Sequence, residues 1–313
     1  LKGAESARTK YATLGYPSLK DFRWVIQSNQ IKDCPVTLED INVATNIWGK
    51  DIAALKGKTT RKKSTPVAGN PLKVPKELLQ LHRDVYLTAD IFYVNGIMFF
   101  LTLSRKIDFP AVTHIASRKI GIIFAAFKSI YAFYRRRGFV ITTVHADGEF
   151  GPLQALVNAM PGGPRMNIAS ASEHVPEPER KIRQVKEGVR AERSTLPFPR
   201  LPKLMTIHLV SYVVKMFGYF PTTNGISETL SPRAIMTGQS LDYNKALRME
   251  FGQYCQVHED YMPRNSQKPR TAGALNLGPS GNIQEGHKFL SLKTGKKLVR
   301  QHWDALPMPD SVI

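Results

Sequence analysis

Three acidic residues lie where the surrounding sequence predicts the inside of a strand, the end of a strand and the start of a helix. They are Asp90, Asp147 and Glu179. A carboxylate inside a strand must be solvated or paired. Carboxylates that converge on one point repel one another unless cations lie between them, and two Mg²⁺ ions held in this way catalyse phosphoryl displacement. Taken singly, each acid has an ordinary alternative, because Asp forms turns and Glu in a first helical turn stabilises the helix dipole.

The elements around these acids follow a definite order. The sequence predicts strands near 85–90, 96–103 and 109–115, with an Asn-Gly turn between the first two. A helix over 119–136 leads to the strand that ends before Asp147, and a short helix over 150–160, a fifth strand near 166–170 and a helix over 178–193 follow. This order predicts an α/β fold in which a mixed five-stranded sheet has helices on both faces.

Three sequence blocks carry a resemblance to a known family. They are TADIF around Asp90, VHADGEF around Asp147 and VPEPERK around Glu179. Together, and in this order, they resemble the D,D,E catalytic core of integrases, a member of the RNase H-like superfamily. The closest likeness is to the integrase segment of copia-type LTR retrotransposon polyproteins, and it extends more weakly from Tyr11 to Ile313.

The resemblance implies an activity and its partners. It implies a polynucleotidyl transferase that processes the 3′ ends of element cDNA and joins them to host DNA. Asp90 would bridge two Mg²⁺ or Mn²⁺ ions, with Asp147 binding one and Glu179 the other. It further implies double-stranded DNA as the partner, a homo-multimer that bridges two DNA ends, and a nuclear location reached through a cytoplasmic virus-like particle.

The sequence departs from the family pattern in several places. There are 31 residues between Asp147 and Glu179, which is short by about one helical turn, and Glu173 and Glu177 are alternatives for the third acid. The zinc ligands common in the family are missing, so no zinc is expected. With a first residue other than Met, a processed piece or a truncated copy is expected. A catalytically decayed copy that only binds nucleic acid therefore stays open, as does an RNase H-type nuclease, although a fourth carboxylate is not apparent.

Charge and cysteine content limit the classes of protein to which this sequence can belong. Lys and Arg number 44 against 25 Asp and Glu, a formal charge of +19, which favours a polyanionic partner. A membrane surface is less favoured, because no basic amphipathic helix, lipidation motif or apolar run of roughly 18 residues is apparent. Only two cysteines occur, so a reducing compartment and a soluble, intracellular protein are expected.

Candidate DNA-binding cations lie in three places. The first is a basic tract over 56–66, interpreted as a linker. The second is the helix of Glu179, in which Arg183, Lys186 and Arg190 follow Glu179 at i+4, i+7 and i+11 and form a cationic stripe beside an apolar stripe. For the tract and the stripe, a merely solvated surface is the alternative. The third is a C-terminal region of short strands. The residues are Lys58, Arg61, Lys62, Lys63, Arg180, Arg183, Lys186, Arg190, Lys296, Lys297 and Arg300.

Three domains are predicted. Residues 1–66 form a small helical region that ends in the basic linker, and residues 67–240 form the RNase H-like core. Residues 247–313 form a basic antiparallel β-barrel, predicted from short β-type runs separated by Gly-rich turns.

Overall fold

The structure is a computed structural model. It describes residues 1–60, 62, 69, 71–170, 176–223, 225–259, 266–282, 284 and 286–313. The chain divides into two compact units: unit 1 contains 1–66, 252–276 and 286–313, and unit 2 contains 67–251 and 277–285. The predicted helical region and the predicted C-terminal domain thus fall into the same unit, while the three-domain division itself stays a prediction.

Four helices form the N-terminal part of unit 1. They are α1 Lys2–Thr13, α2 Leu19–Gln27, α3 Leu38–Trp48 and α4 Ile52–Lys58. The predicted capping box is confirmed, because Asp40 N donates to Thr37 Oγ1 and Thr37 N donates to Asp40 Oδ2. Phe22, Ile26 and Ile41 are buried in a shared core cluster. The helical prediction for this segment is therefore confirmed.

Unit 2 is built on a sheet of five strands. They are β1 Asp84–Val94, β2 Ile97–Ser104, β3 Pro110–His114, β4 Val140–Ala146 and β5 Arg165–Ile168. Their order is β3-β2-β1-β4-β5, with β1, β2 and β3 antiparallel and β4 and β5 parallel to β1. Asn95 and Gly96 both have positive φ in the β1–β2 hairpin, as the predicted Asn-Gly turn requires. The predicted mixed five-stranded sheet is confirmed, and it fits an RNase H-like core.

The helices described in unit 2 include those predicted over 119–136, 150–160 and 178–193, in that order. They are α5 Lys76–His82, α6 Ile120–Arg136, α7 Gln154–Asn158, α8 Pro176–Ser194, α9 Lys203–Phe217, α10 Pro232–Thr237 and α11 Tyr243–Ala246. The single helix predicted over 150–160 is instead a 3₁₀ helix, Gly148–Leu153, followed by α7. Pro152 lies inside the 3₁₀ helix, and proline has no N–H to continue an α-helical ladder.

The two faces of the sheet are buried by different helices. Leu87, Ala89 and Ile91 alternate along β1 and pack with residues of α6 in one core cluster. The opposite face is contacted by α8 and α9. These two helices lie close together at Gly188, where an added Cβ would come within 2.8 Å of both Val213 and Phe217.

The C-terminal strands form a second sheet. They are β6 Tyr254–His258, β7 Thr271–Pro279, β8 His287–Ser291, β9 Lys297–Arg300 and β10 Trp303–Ala305. Their order is β10-β6-β7-β8-β9, and the described pairs are antiparallel. The antiparallel sheet is thus present, whereas its closure into a barrel stays a prediction. Within the described ranges, none of the helices combines the length and apolar character that crossing a membrane requires.

Two buried threonines of the central sheet give a matched test of packing. Thr102 Oγ1 is buried and has no hydrogen-bond partner, whereas the buried Thr88 Oγ1 donates to the carbonyl oxygen of Leu103 at 3.1 Å. We expect Thr102→Val to raise the free energy of unfolding by about 1 kcal/mol, because it removes an unsatisfied polar group. Thr88→Val should lower it by about 1 kcal/mol, because it removes a hydrogen bond. Urea denaturation measures both, and equal effects of the two substitutions would contradict this account.

Candidate metal and nucleic-acid site

The position of Asp90 is set by where two strands stop pairing. The parallel pairing of β1 with β4 ends at Ala89 and Ala146, while β1 continues to Val94 along β2 alone. Asp90 is therefore the first residue of β1 beyond the end of β4, and Asp147 is the first residue after β4. The carboxyl ends of adjacent parallel strands form the usual crevice for ligands in α/β sheets.

Glu179 is oriented by two ion pairs on the opposite side of its helix. Glu177 pairs with Arg105 at 2.8 Å, and Lys181 pairs with Asp108 at 3.2 Å. Both partners lie at the β2–β3 turn, so the first turns of α8 are tied to the sheet at Glu177 and Lys181. Two helical steps rotate a side chain by about 200°, so Glu179 points away from these ion pairs. It lines a cavity together with Asp90.

The alternatives for the third acid differ from Glu179 in their surroundings. Glu177 is engaged by Arg105, and its second carboxylate oxygen is buried without a hydrogen-bond partner. Glu173 lies outside the residues that the structure describes. Burial lowers the pKa of the neighbouring His145, the positive charge of Arg105 lowers it further, and Glu177 opposes the shift. His145 is therefore neutral near pH 7, and its Nδ1 lies 3.2 Å from the amide nitrogen of Asn167.

Asp90 carries the clearest electrostatic signal of the site. Partial burial raises its pKa, a 2.6 Å hydrogen bond from the backbone N–H of Ile91 lowers it, and the negative charges of Asp147, Glu149 and Glu179 raise it further, to about 6. All three of these carboxylates are therefore near enough to act on Asp90. Such mutual repulsion is relieved when a cation enters.

Asp147 is not used as a helix cap. It precedes the 3₁₀ helix, but its side chain accepts no capping hydrogen bond. The ordinary role of an aspartate at this position, which is to cap or close a turn, is therefore not what is observed. Its half-buried carboxylate stays available to a ligand.

Glu149 lies two residues after Asp147, and the structure gives it an electrostatic role. Glu149 forms an ion pair with Arg118 at 2.8 Å, and Arg118 Nε donates to the hydroxyl of Tyr93 at 2.9 Å. The guanidinium of Arg118 also lies over the Tyr93 ring, 5.6 Å from its centroid. Glu149 is thus a fourth carboxylate near Asp90. Its place in VHADGEF, two residues after Asp147, was the available signal.

The carboxylate oxygens of this site are suitable ligands for Mg²⁺, but their present spacing is not that of a metal site. Carboxylate oxygens are the ligands that Mg²⁺ prefers, and the pKa of Asp90 is raised first by burial and then by the neighbouring negative charges. Among the described residues, however, no three His, Cys, Asp or Glu side chains are grouped closely enough to hold a metal ion as they stand. Asp90, Asp147 and Glu179 fit the ion in chemistry, and their side chains would have to turn toward one another to bind it.

The cationic stripe of α8 shares a cavity with Asp90 and Glu179, whereas Asp147 is not among the residues that line it. This cavity has a volume of about 460 Å³, and we call it the acid cavity. The apolar stripe of α8 is buried, as predicted. Arg180 is exposed and is not among the residues that line the cavity. The lining residues are Asp90, Ile91, Phe92, Tyr93, Glu179, Ile182, Arg183, Lys186 and Arg190.

The basic tract of unit 1 begins inside a helix. The linker interpretation was wrong for 56–58, which form the last turn of α4, and Lys58 donates to the carbonyl oxygen of Tyr16. The reason is that α4 starts at the Asp51 cap and keeps its helical hydrogen bonds through these residues. Lys62 is exposed outside any helix or strand, and Arg61 and Lys63 lie outside the described residues.

The C-terminal cations divide into two kinds. Lys296 and Lys297 are exposed beside and on β9. Arg300 instead donates from Nε to the carbonyl oxygen of His258 at 3.0 Å and lies 3.5 Å from the carboxylate of Glu259. The guanidinium of Arg300 therefore connects β9 to the end of β6, and its contact with DNA stays a prediction.

A second cavity, of about 440 Å³, lies within the helices of unit 1. Its walls are mostly apolar, with Phe22 and Leu55 among them, and its one aspartate, Asp51, pairs with Arg8 at 3.2 Å. A carboxylate neutralised in this way is a structural contact rather than a metal ligand. The acid cavity is the site that the carboxylates favour.

Comparisons with known proteins give little beyond this geometry. No protein-family model matches the chain, and no curated protein matches it. Among solved structures, the catalytic core domain of BIV integrase is similar over 48% of this chain and 92% of that chain, with a TM-score of 0.36 and 11% sequence identity. A similarity of this size decides neither fold nor site, which rest on the topology and contacts given above.

The raised pKa of Asp90 predicts how stability depends on pH. Because the pKa rises from 3.8 to about 6 on folding, the ionised group destabilises the fold above pH 6 and has no effect below pH 3.8. We expect Asp90→Asn to raise the free energy of unfolding at pH 8 by about 1–2 kcal/mol, a figure reduced for solvent screening. The gain should shrink as the pH falls toward 4. Urea denaturation in EDTA measures it.

Glu228→Gln is the matched control for this substitution. Glu228 is an exposed carboxylate of unit 2, so its loss should change stability little at either pH. A gain in Asp90→Asn that is the same at pH 8 and pH 4 would contradict the electrostatic account.

Proposed function

We propose that this protein is a DNA-binding polynucleotidyl transferase of the D,D,E integrase type. In this proposal it processes the 3′ ends of element cDNA and joins them to target DNA. The observation that carries the proposal is the acid cavity, which Asp90 and Glu179 line together with the cations Arg183, Lys186 and Arg190. A phosphodiester needs both parts, because cations hold its neighbouring phosphates while the acids act on the reacting one.

The residues of the site would divide the chemistry among them. Asp90, Asp147 and Glu179 would hold two Mg²⁺ or Mn²⁺ ions. Such ions activate the attacking oxygen and stabilise the leaving oxygen in phosphoryl displacement. The Glu177–Arg105 and Lys181–Asp108 ion pairs keep the first turns of α8 fixed while DNA binds. Lys186 and Arg190, about two and three turns beyond Glu179 on α8, would hold neighbouring phosphates of the same strand.

The finer identity is also a proposal. The ordered TADIF, VHADGEF and VPEPERK blocks support a copia-type retrotransposon integrase that acts as a homo-multimer on two DNA ends in the nucleus. The formal charge of +19 supports DNA as the partner.

Two other functions share part of this geometry. A catalytically decayed remnant is favoured by the spacing of the acids, since no described group of three is arranged to hold a metal. An RNase H-type nuclease uses a fourth carboxylate, and Glu149 supplies one whose charge reaches Asp90. Glu149 is already paired with Arg118, so the nuclease is the second candidate.

A joining assay separates these functions. Since the terminal sequence is undefined, DNA duplexes with randomised ends are incubated with a supercoiled plasmid and Mg²⁺, and the junctions are sequenced. We expect joining by the unmodified chain and a loss of about a hundredfold or more in Asp147→Asn and in Glu179→Gln. Glu228→Gln, which changes an exposed carboxylate of unit 2 outside the site, is the control and should keep the activity. Glu177→Gln removes the ion pair with Arg105 and should lower joining less than Glu179→Gln does.

Each alternative has its own outcome in this assay. DNA binding without joining under any divalent ion would support the remnant. Cleavage of RNA–DNA hybrids without joining would support the nuclease. Loss of joining in Glu177→Gln together with retention in Glu179→Gln would reassign the third acid.

Salt dependence tests the cationic stripe. We expect Arg183, Lys186 and Arg190, changed together to Ala, to weaken DNA binding and to lower the slope of log affinity against log salt by about 2–3, since each phosphate contact contributes about 0.9. Fluorescence anisotropy at several salt concentrations measures the slope. The control changes Lys128, Arg135 and Arg136 of α6 to Ala, which removes the same amount of positive charge. An equal decrease of the slope in this control would show that the three cations of α8 have no special part in DNA binding.

A further inference from the structure

The cavity within the helices of unit 1 has small residues in its wall. Its volume is about 440 Å³, and α1, α2, α3 and α4 all contribute to it. We call it the helical cavity. Ala7, Ala44, Gly49 and Ala54 are among the residues that line it. Side chains this short leave open the space between the helices, whereas protein interiors ordinarily have few voids larger than a water molecule. The volume lies in the usual range of small-molecule sites, roughly 300–1,000 Å³.

The apolar part of the wall is well supported. Phe22, Ile41 and Leu55 line the helical cavity, and all three are buried. The ring of Phe22 packs against that of Tyr11, with centroids 5.4 Å apart, and Tyr11 contacts Tyr16 edge to face at 5.6 Å. A wall held in place in this way loses little entropy when a ligand binds.

Most polar groups of the wall already bond to the protein itself. Thr45 Oγ1 donates to the carbonyl oxygen of Ile41 at 2.8 Å. Arg8 donates to the carbonyl oxygen of Gly49 at 2.9 Å and pairs with Asp51 at 3.2 Å. A sugar or a nucleotide base would leave polar groups of its own unpaired against such a wall, which is costly. The larger part of a ligand that fits this cavity is therefore apolar.

Lys58 differs from the other cations of the wall. Three cations are among the described residues that line the helical cavity. Lys50 pairs with Asp304 at 2.7 Å, and Arg8 is neutralised by its own aspartate. Lys58 is exposed and donates to the carbonyl oxygen of Tyr16, which has no charge. Within the described part of the chain, none of the ion pairs includes Lys58.

An apolar cavity with one cation that lacks a counter-charge complements an apolar molecule with one negative charge. We propose that the helical cavity binds a small apolar carboxylate, such as a medium-chain fatty acid. The apolar chain would lie against Phe22, Ile41 and Leu55, and the carboxylate would pair with Lys58. This inference does not depend on the proposed function, because the acid cavity lies in unit 2.

A fluorescent fatty acid tests the site directly. The probe is dansylated undecanoic acid, whose emission increases in apolar surroundings, and it is titrated into the full-length chain. We expect saturable binding to one site. Decanoate should displace the probe at about fivefold lower concentration than decanol, which has the same chain without the charge, because an exposed ion pair contributes up to about this factor.

Variants of α4 separate the cation from the cavity. We expect Lys58→Gln to weaken probe binding about fivefold and to remove the preference for decanoate over decanol. Lys56→Gln removes an exposed cation of the same helix that is not among the lining residues, and it should bind as the unmodified protein does.

A second pair of variants tests the space itself. Ala54→Phe should weaken binding of decanoate and decanol alike, by about tenfold, because the ring would take up part of the cavity. Its matched control is Ala53→Phe, at an exposed position of α4 that does not line the cavity. Thermal melting monitored by circular dichroism establishes whether each variant folds.

Each outcome supports or overturns the inference. Absence of saturable probe binding, or binding that Ala54→Phe weakens no more than Ala53→Phe does, overturns the site. Equal displacement by decanoate and decanol, or equal binding by Lys58→Gln and Lys56→Gln, overturns the anionic ligand. If Ala54→Phe does not fold, the two lysine variants and the competition decide. Joining of DNA is measured separately, so failure of the proposed catalysis leaves this result unchanged.

Discussion

The candidate site depends on one constraint, which is that β1 continues beyond the point where β4 stops. Pairing ends at Ala89 and Ala146, so the next residue of each strand, Asp90 or Asp147, is a carboxylate at an open edge. Asp90 is half-buried there because the sheet and its helices surround it. Burial and the neighbouring negative charges together raise its pKa. The fold therefore keeps a concentration of negative charge that favours a cation and is costly without one.

Helix α8 lies beside this charge, and each of its sides makes different contacts. The apolar stripe packs against the rest of the unit, and the Glu177 and Lys181 ion pairs fix the first turns to the β2–β3 turn. The side that remains carries Glu179 and then the cations of the acid cavity, which are Arg183, Lys186 and Arg190. One rigid element thus sets the distance between an acid and a row of cations. Gly188 contributes by letting α9 pack closely behind α8.

On the other side of Asp90, Glu149, Arg118 and Tyr93 are linked by consecutive contacts. Glu149 holds Arg118, and Arg118 holds the ring of Tyr93. Glu149 therefore has two effects, since its charge reaches Asp90 while its ion pair fixes an exposed aromatic residue.

The sequence by itself determined the order of strands and helices in unit 2, the capping box at Thr37 and the stripes of α8, because each depends on local periodicity or on residues a few positions apart. It could not determine which of the three glutamates near the start of α8 faces Asp90, since that depends on the ion pairs of Glu177 and Lys181 with the β2–β3 turn. It also could not show that Glu149 pairs with Arg118 while its charge reaches Asp90, or that the guanidinium of Arg300 joins two strands. These outcomes depend on residues distant in sequence, so only the tertiary structure decided them.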